Sequence, residues 1–231
     1  MKIGILIIAT GKYHVFVPPL LASIEKYFFT NHDLILYLFS ETDFIDRTKI
    51  DRTKIVHIST VHEPFPLCTL HRYRRFSDAA DLIDTDYLFY CDADMLFVDK
   101  VDEEILPNLS EQLTVVRHPG YWKGGWGSPN TDIKSKAWLP QNKRINYFCG
   151  GFNGGETNAF LSMSGELARN IENDSQNGAM AEWHDETHLN WFMAHKYPKI
   201  LTPSYCYPEN WKLPFKPKLL ALDKNHSEIR S

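Results

Sequence analysis

A continuous apolar run lies at the beginning of the chain, at residues 3–8 (I-G-I-L-I-I), and stops just before the polar residues 10–12. Such a run is typical of a strand that is buried on both faces of a mainly parallel sheet. Further short apolar runs predict strands, and two longer segments predict helices. The predicted strands are 34–39, 55–58, 87–89 and 114–116, and the predicted helices are 20–29 and the crossover helix 70–83. This alternation indicates an α/β fold with a mainly parallel central sheet.

The second half of the chain is less periodic. Residues 121–130, rich in Gly and Trp, predict a loop beside a binding site, and residues 162–171 and 182–196 predict helices separated by the polar linker 173–178. The tail from 203 onwards carries several prolines, so we expect an irregular flap at about 203–231. At 231 residues, the chain is long enough for one large α/β domain, and we expect a single domain over 1–231.

Charge and cysteine content narrow the classes of function. The net charge of −4 provides no basic field, so nucleic acid is not an expected partner. The four cysteines include no C-x-x-C pair, which argues against a zinc site or a disulfide scaffold. Nowhere does an apolar run approach the roughly 18–20 residues that a membrane-spanning helix needs. We therefore expect a soluble protein of a reducing cytoplasm.

Two carboxylates follow the predicted strand at 87–89. Asp92 and Asp94 form a D-x-D pattern at the carboxyl end of that strand, where open α/β sheets bind ligands. Oxygen ligands of this kind suit Mn²⁺ or Mg²⁺, which bridges protein carboxylates to substrate phosphates. An EF-hand is excluded because Phe97 stands where its loop needs glycine. A solvated turn after a strand would also explain the pattern if it stood alone.

Residues 183–188 (W-H-D-E-T-H) combine two acids, two histidines and a large ring at the entry of a predicted helix. The spacing is not the H-E-x-x-H of a metalloprotease, although His184 and His188 at i, i+4 could bind a metal. The alternative is structural. Asp185 and Glu186 would then be favourable charges in a first helical turn, and Trp183 would belong to the core.

Glycine pairs and a cluster of arginines are further candidates. Gly150 and Gly151 lie among aromatic residues, where glycine permits close approach to a ligand or a tight bend in a strand. Arg72 and its neighbours at 74–75 could pair with phosphates, or they could form the solvent-exposed face of a helix.

Taken together, these segments resemble glycosyltransferase family 6, the family of the histo-blood-group A and B transferases and α-1,3-galactosyltransferase. Its most specific piece is 183–190 (W-H-D-E-T-H-L-N), which differs from the family's usual W-H-D-E-S-H-L-N only at Thr187. The family's other motifs stand in the expected order around it, at 9–13 (A-T-G-K-Y), 92–94 (D-A-D), 118–121 (H-P-G-Y), 150–151, 224–226 (K-N-H) and Arg230.

The resemblance implies a GT-A fold and transfer with retention from a UDP-sugar to give an α-1,3 linkage. It implies that Glu186 is the catalytic carboxylate, and that Asp92 and Asp94 bind the metal. The donor-binding residues that it implies are Ile8, Ala9, Thr10, Tyr13, Arg72, Asp92, Gly150, Gly151 and Asp185, with Lys224, His226 and Arg230 in a basic tail that closes over the diphosphate. Closure would exclude water, which would otherwise hydrolyse the donor.

The resemblance also bears on substrate choice. His118 and Trp183, with Glu186, match acceptor contacts of the family, and glycine at 151 leaves room for an N-acetyl group, which favours UDP-GalNAc over UDP-Gal. Both aspartates of D-x-D are present, so we expect dependence on Mn²⁺ or Mg²⁺, whereas several bacterial relatives carry N-x-N. The family's acidic-arginine-arginine run before 137–140 is missing, which leaves the glycan acceptor open. We expect no membrane anchor or stem before residue 1, unlike in the animal enzymes, and therefore expect a bacterial or phage-like form.

Other functions remain open from the sequence. A UDP-sugar hydrolase, or a transferase using UDP-Gal or UDP-GlcNAc, would share the same motifs. A metal-dependent sugar-binding module would use Asp92, Asp94 and the tryptophans, and would bind sugar without UDP. A nucleotidyltransferase also uses D-x-D, but the chain has no phosphate-cradling glycine loop.

Overall fold

The computed structural model of the protein describes residues 1–127, 130 and 132–229. The strands are β1 (Lys2–Ile8), β2 (Asp33–Ser40), β3 (Thr53–Ser59), β4 (Tyr87–Cys91), β5 (Met95–Phe97), β6 (Leu113–Arg117), β7 (Phe148–Glu156), β8 (Lys199–Leu201), β9 (Tyr207–Pro208) and β10 (Leu219–Ala221). The helices are α1 (Val17–Tyr27), α2 (Leu67–Leu70), α3 (Arg72–Asp78), α4 (Thr157–Gln176), α5 (His184–Met193) and α6 (His226–Ile229).

Within the described residues, a central sheet has the strand order β3-β2-β1-β4-β7-β6-β8. Neighbouring strands pair in parallel except at β7, which runs antiparallel to both β4 and β6. A smaller sheet joins β5, β10 and β9. The mainly parallel α/β fold predicted from the sequence is confirmed, and it places the carboxyl ends of β1 and β4 side by side.

Apolar side chains fill both faces of the central sheet. In β1, Ile3, Ile5 and Ile7 pack on one face with α1, whereas Leu6 packs on the other face with α3, α4 and α5. Consecutive residues of a strand point to opposite faces, so an uninterrupted apolar run is required where helices cover both. Because both faces of the sheet are covered, its strand ends are the surfaces left for a site.

Several predicted boundaries need correction. The crossover helix 70–83 is divided into α2, α3 and a 3-10 helix, because the backbone leaves the helical conformation at His71 (ψ 5°) and again at Ala79 (ψ 4°). The helix predicted at 162–171 is the longer α4, which absorbs much of the polar linker predicted at 173–178. The helix predicted at 182–196 is the shorter α5.

The glycine pairs belong to a full central strand, where the sequence indicated only a bend. A Cβ on Gly154 would lie 2.5 Å from the carbonyl oxygen of Leu88 on β4. A Cβ on Gly155 would lie 2.3 Å from the carbonyl oxygen of Gln112, and its φ is +145°. Glycine therefore lets β7 fit between its two neighbours, which β-propensity alone does not show.

The tail contains more regular structure than the sequence indicated. β9 and β10 complete the smaller sheet, in which β10 pairs antiparallel with β5, and Leu219 is fully buried. Met95 at the start of β5 follows Asp94 directly, so this sheet holds the tail beside the D-x-D segment. None of the helices in the described parts of the chain has the length and apolar character needed to cross a membrane.

Candidate active site

A cavity of about 130 Å³ opens where β1 and β4 end. Its lining includes six of the twelve residues that the sequence suggested for the donor. The lining residues are Ile8, Thr10, Tyr13, Cys68, Thr69, Arg72, Tyr90, Asp92, Ala93, Asp94 and Lys224. Ala9 is fully buried, and its N–H donates to the carbonyl of Phe39 (2.9 Å) on β2, which fixes the start of the loop after β1.

Arg72 is the central cation of this site. Its buried guanidinium lies 3.1 Å from Asp185 Oδ2 and 3.4 Å from Asp92 Oδ1, and Nη1 donates to the carbonyl of Gly150 (3.2 Å). The guanidinium also stacks 4.5 Å from the ring centre of Tyr90. Burial opposes the charge of Arg72, but Asp185 and the other partners outweigh it and raise its pKa above the ordinary value. Arg72 is therefore a permanent, desolvated positive charge at the cavity.

The two aspartates of the D-x-D pattern have different surroundings. Asp92 is 34% exposed, accepts a hydrogen bond from the Tyr90 hydroxyl, and donates its N–H to the carbonyl of Gly151 (2.9 Å). Asp94 is 6% exposed, and its carboxylate pairs with Lys224. Two hard oxygen donors lining one cavity fit Mn²⁺ or Mg²⁺, whose remaining ligands would come from diphosphate and water.

Glu186 is linked to Arg72 through the backbone of Gly150, which donates its N–H to Glu186 and accepts from Arg72 at its carbonyl. Its Oε1 accepts a hydrogen bond from the Tyr147 hydroxyl (2.7 Å), and its Oε2 accepts one from the N–H of Gly150 (2.8 Å). Burial raises the pKa of Glu186 to about 7, although these two hydrogen bonds act in the opposite direction. Burial also raises the pKa of neighbouring Asp185, against the effect of Arg72. A carboxyl group that titrates near neutrality beside a cavity is typical of an acid, base or nucleophile.

The local sequence explains how Glu186 is held. His184 begins α5 with a φ of +51°, and the Thr187 hydroxyl accepts a hydrogen bond from the N–H of Trp183 (2.9 Å) at the start of the helix. Fully buried Asn190 then joins α5 to β7, because its side chain accepts from the N–H of Phe148 (2.8 Å) and donates to its carbonyl (2.8 Å).

Two of the three residues suggested for the acceptor, His118 and Glu186, lie against Tyr147. The ring of His118 is 5.5 Å from that of Tyr147, and Tyr121 packs against both. Burial lowers the pKa of His118 to about 4, so its imidazole is neutral at pH 7. Trp183 is 51% exposed at the start of α5, which excludes the core position considered from the sequence. An exposed indole and a neutral imidazole are suited to contact a sugar.

The basic tail reaches the site through Lys224, whose ammonium also lies 5.6 Å from the ring centre of Tyr13. His226 is exposed at the start of α6, and Lys12 donates to the carbonyl of Glu228 (2.9 Å), which ties the tail to the loop after β1. Arg230 lies outside the described residues.

The histidines at 184 and 188 do not form a shared metal site. His188 is buried with its Nε2 3.4 Å from Asp174 Oδ2, whereas the ring of His184 packs edge-on against Phe65. Over the described ranges, one set of three candidate ligands converges elsewhere, at His32, Asp102 and Glu103. There Lys100 already pairs with Asp102 (2.9 Å).

Sequence reasoning missed three residues that organise this site. Tyr90 contacts Arg72 and Asp92, Tyr147 donates to Glu186, and Asn190 fixes α5 on β7. The only sequence signals were their positions, since Tyr90 ends an apolar run, Tyr147 precedes the glycine pair, and Asn190 ends W-H-D-E-T-H-L-N.

Comparison with known proteins identifies the same family that the sequence motifs resemble. The family model described as "Glycosyltransferase family 6" matches residues 1–231. Histo-blood group ABO system transferase 1 of Rattus norvegicus is 30% identical over 99% of this chain and 68% of its own length. Globoside alpha-1,3-N-acetylgalactosaminyltransferase 1 of Canis lupus familiaris is 29% identical, covering 100% and 69%. The O-antigen biosynthesis glycosyltransferase WbnI of Escherichia coli is 26% identical, covering 97% and 95%. Since the family model spans every residue, the chain belongs to glycosyltransferase family 6 and is a hexosyltransferase.

Proposed function

We propose that this protein is a retaining, metal-dependent glycosyltransferase that moves GalNAc, or alternatively Gal, from a UDP-sugar to a galactoside acceptor in α-1,3 linkage. The observation that carries the proposal is the position of Glu186, whose carboxyl group is bonded to Gly150 beside the Arg72, Asp185 and Asp92 network. The names of the rat and dog relatives accord with a transferase of this kind.

In this proposal Glu186 acts on the anomeric carbon. Retention requires either a glycosyl-enzyme intermediate or an oxocarbenium-like state that is stabilised while the acceptor enters on the same face. Both need an ionised carboxylate at the reacting carbon, and the hydrogen bonds from Tyr147 and Gly150 hold the Glu186 carboxyl group in one orientation. Arg72 and Asp185 would orient the donor sugar and its phosphates.

The metal would be held by Asp92 and Asp94, and when bound it would neutralise charge on the departing diphosphate. In the tail, Lys224 pairs with the carboxylate of Asp94. We propose that Lys224, His226 and Arg230 close over the diphosphate and exclude water from the activated sugar.

Glycine at 151 supports GalNAc as the transferred sugar. A Cβ at this position would lie 3.1 Å from Asp92 Oδ2 and 3.4 Å from the sulfur of Met95, so a side chain would crowd the metal-binding carboxylate. A Cβ at Gly150 would meet Glu186 Oε2 at 3.6 Å, an ordinary contact distance. Glycine at 151 therefore keeps a side chain away from the Asp92 carboxylate, which supports the room for an N-acetyl group that the family resemblance implies.

The experiment is to measure UDP release from UDP-GalNAc and UDP-Gal, with and without Mn²⁺, against a panel of galactosides. We expect release that depends on Mn²⁺ and on the acceptor, is faster with UDP-GalNAc, and yields a product with α-anomeric configuration by NMR. Release at the same rate without any acceptor would indicate a UDP-sugar hydrolase instead. Sugar binding with no release from any UDP-sugar would favour a metal-dependent sugar-binding module and contradict the proposal.

A further inference from the structure

Asp174, near the end of α4, is a buried carboxylate that joins two separate parts of the chain. It is 3% exposed. Its Oδ2 accepts a hydrogen bond from the Ser135 hydroxyl (2.5 Å), and its Oδ1 accepts one from the N–H of Lys136 (2.6 Å). On its other side, Oδ2 lies 3.4 Å from Nε2 of His188 on α5. One side chain of α4 therefore contacts both a loop and the helix that carries Glu186.

The contact with His188 favours the ionised form of the Asp174 carboxylate. His188 is 1% exposed, and neither of its ring nitrogens has a hydrogen-bond partner within the described residues. A buried imidazole in that condition is stabilised by a negative charge beside it. Burial tends to raise the pKa of Asp174, but the contacts with His188, Lys136 and Ser135 outweigh burial and lower it.

In the sequence, the loop that Asp174 holds, residues 132–139, stands between two ends, one before it and one after it, whose described residues meet at the candidate active site. At the first end, the rings of Tyr121 and Trp126 each lie 5.3 Å from the ring of Tyr147. At the other end stands Tyr147 itself, which donates to Glu186. The exit from the loop is also fixed, because the Arg144 guanidinium donates twice to the carbonyl of Leu139 (2.9 and 2.6 Å).

A loop without regular strands or helices samples many conformations unless buried polar contacts restrict it. Ser135 (5% exposed) and Ala137 (2%) are buried, and the Ser135 hydroxyl also accepts the N–H of Ala137 (3.0 Å). Asp174 thus fixes this loop through Ser135 and Lys136, and it also contacts His188 of α5. Through His188 and Asp174, the loop is tied to α5, the helix that follows Trp183 directly and carries Glu186.

From this arrangement we propose that Asp174 is a positioning residue for the acceptor. It pins the loop of residues 132–139 against α4 and α5, and so pre-organises the surface on which the acceptor sugar lies. The inference rests on the proposed transferase function. We expect Asp174 to influence acceptor binding and not donor binding, because its side-chain hydrogen bonds and ion pair in the described residues are with Ser135, Lys136 and His188, not with Arg72, Asp92 or Asp185.

The test compares Ser135→Ala and Asp174→Asn with Ser164→Ala as the matched control. Ser164 is also a buried serine, on the same helix as Asp174, and its hydroxyl donates to the carbonyl of Phe160 (2.9 Å) away from the loop. For each protein, KM for acceptor, KM for donor and acceptor-independent UDP release are measured. Hydrogen exchange over residues 132–139 is followed in the same samples.

We expect both loop variants to raise KM for acceptor roughly five- to tenfold, the loss of about one buried hydrogen bond, with Asp174→Asn at the upper end. Donor KM and acceptor-independent release should stay within about twofold of wild type, and hydrogen exchange in the loop should accelerate. Ser164→Ala should leave all four quantities near wild type.

An unchanged acceptor KM, or a parallel loss of donor binding and hydrolysis, would overturn the inference and leave Asp174 a purely structural residue. Failure of the proposed function looks different, since wild-type protein would then release no UDP with any galactoside. Hydrogen exchange would in that case still report whether Asp174 pins the loop.

Discussion

At the scale of single residues, the site depends on carboxyl groups whose protonation the fold has altered. Glu186 is surrounded by Tyr147, the Gly150 N–H and Asp185, and burial brings its pKa to about 7. The W-H-D-E segment placed Glu186 in the site, but the sequence contained no information on its protonation. Burial of a particular side chain follows from which distant residues cover it.

Replacement of Glu186 by Gln should remove most turnover, by roughly 10³-fold or more, because an amide cannot supply the negative charge that the reacting carbon needs. UDP affinity should stay near wild type. Steady-state rates and calorimetric UDP binding check this. Glu182→Gln is the matched control, since Glu182 is an exposed acid two residues before α5. Near-full activity of Glu186→Gln would remove this residue from the catalytic role.

The pH profile should follow the ionisation of Glu186. Below about pH 7, kcat/KM should rise about tenfold per pH unit and then level off, because the ionised form is the active one. Stability should change in the opposite direction. A carboxyl group whose pKa rises on folding binds its proton more tightly in the folded state, so its contribution to stability falls between pH 4.5 and about pH 7. A flat rate profile from pH 5 to 8 would contradict the assignment.

At the scale of elements, the position of α5 against β7 determines the geometry of the site. Helix α5 carries Asp185 and Glu186, and strand β7 carries Gly150 and Gly151. The two elements are joined by hydrogen bonds from one buried amide, Asn190, to both backbone groups of Phe148. Such a connection fixes the helix along the strand more strictly than apolar packing alone.

Replacement of Asn190 by Leu should lower the free energy of unfolding by about 2–4 kcal/mol, because a leucine of similar size leaves the N–H and C=O of Phe148 buried without partners. Urea denaturation measures the effect. Asn173→Leu is the control, since Asn173 is an exposed residue of α4 whose side chain donates only to the carbonyl of Arg169 (2.8 Å). Equal stability of the two variants would show that the contact does not hold α5 in place.

At the scale of the whole molecule, the tail returns across the D-x-D segment. Strand β10 pairs with β5, the N–H of Leu222 donates to the carbonyl of Asp94 (3.0 Å), and Lys224 then reaches the Asp94 carboxylate. The C-terminal part of the chain therefore supplies positive charge to a cavity built mainly by its first hundred residues.

Replacement of Lys224 by Met should raise KM for the UDP-sugar roughly tenfold, because the proposed charge-assisted contact with the diphosphate would be lost while side-chain length is kept. Initial rates at varied donor concentration give this value. Lys216→Met is the control, since Lys216 lies in the same tail but pairs with Asp99 at an exposed position (2.7 Å). If both variants show the same donor KM, the tail cation takes no part in donor binding.

The sequence by itself determined the α/β class, the first strands and the family. Buried parallel strands need unbroken apolar runs, and W-H-D-E-T-H-L-N is too long a match to arise by chance. Only the tertiary structure decided that the glycine pairs form a central antiparallel strand, that Tyr147 meets Glu186, and that Lys224 meets Asp94. These contacts join residues far apart in the chain, and they depend on how strands and helices pack rather than on any local pattern. Local propensity cannot specify such pairs, because packing of the entire fold brings their atoms within reach.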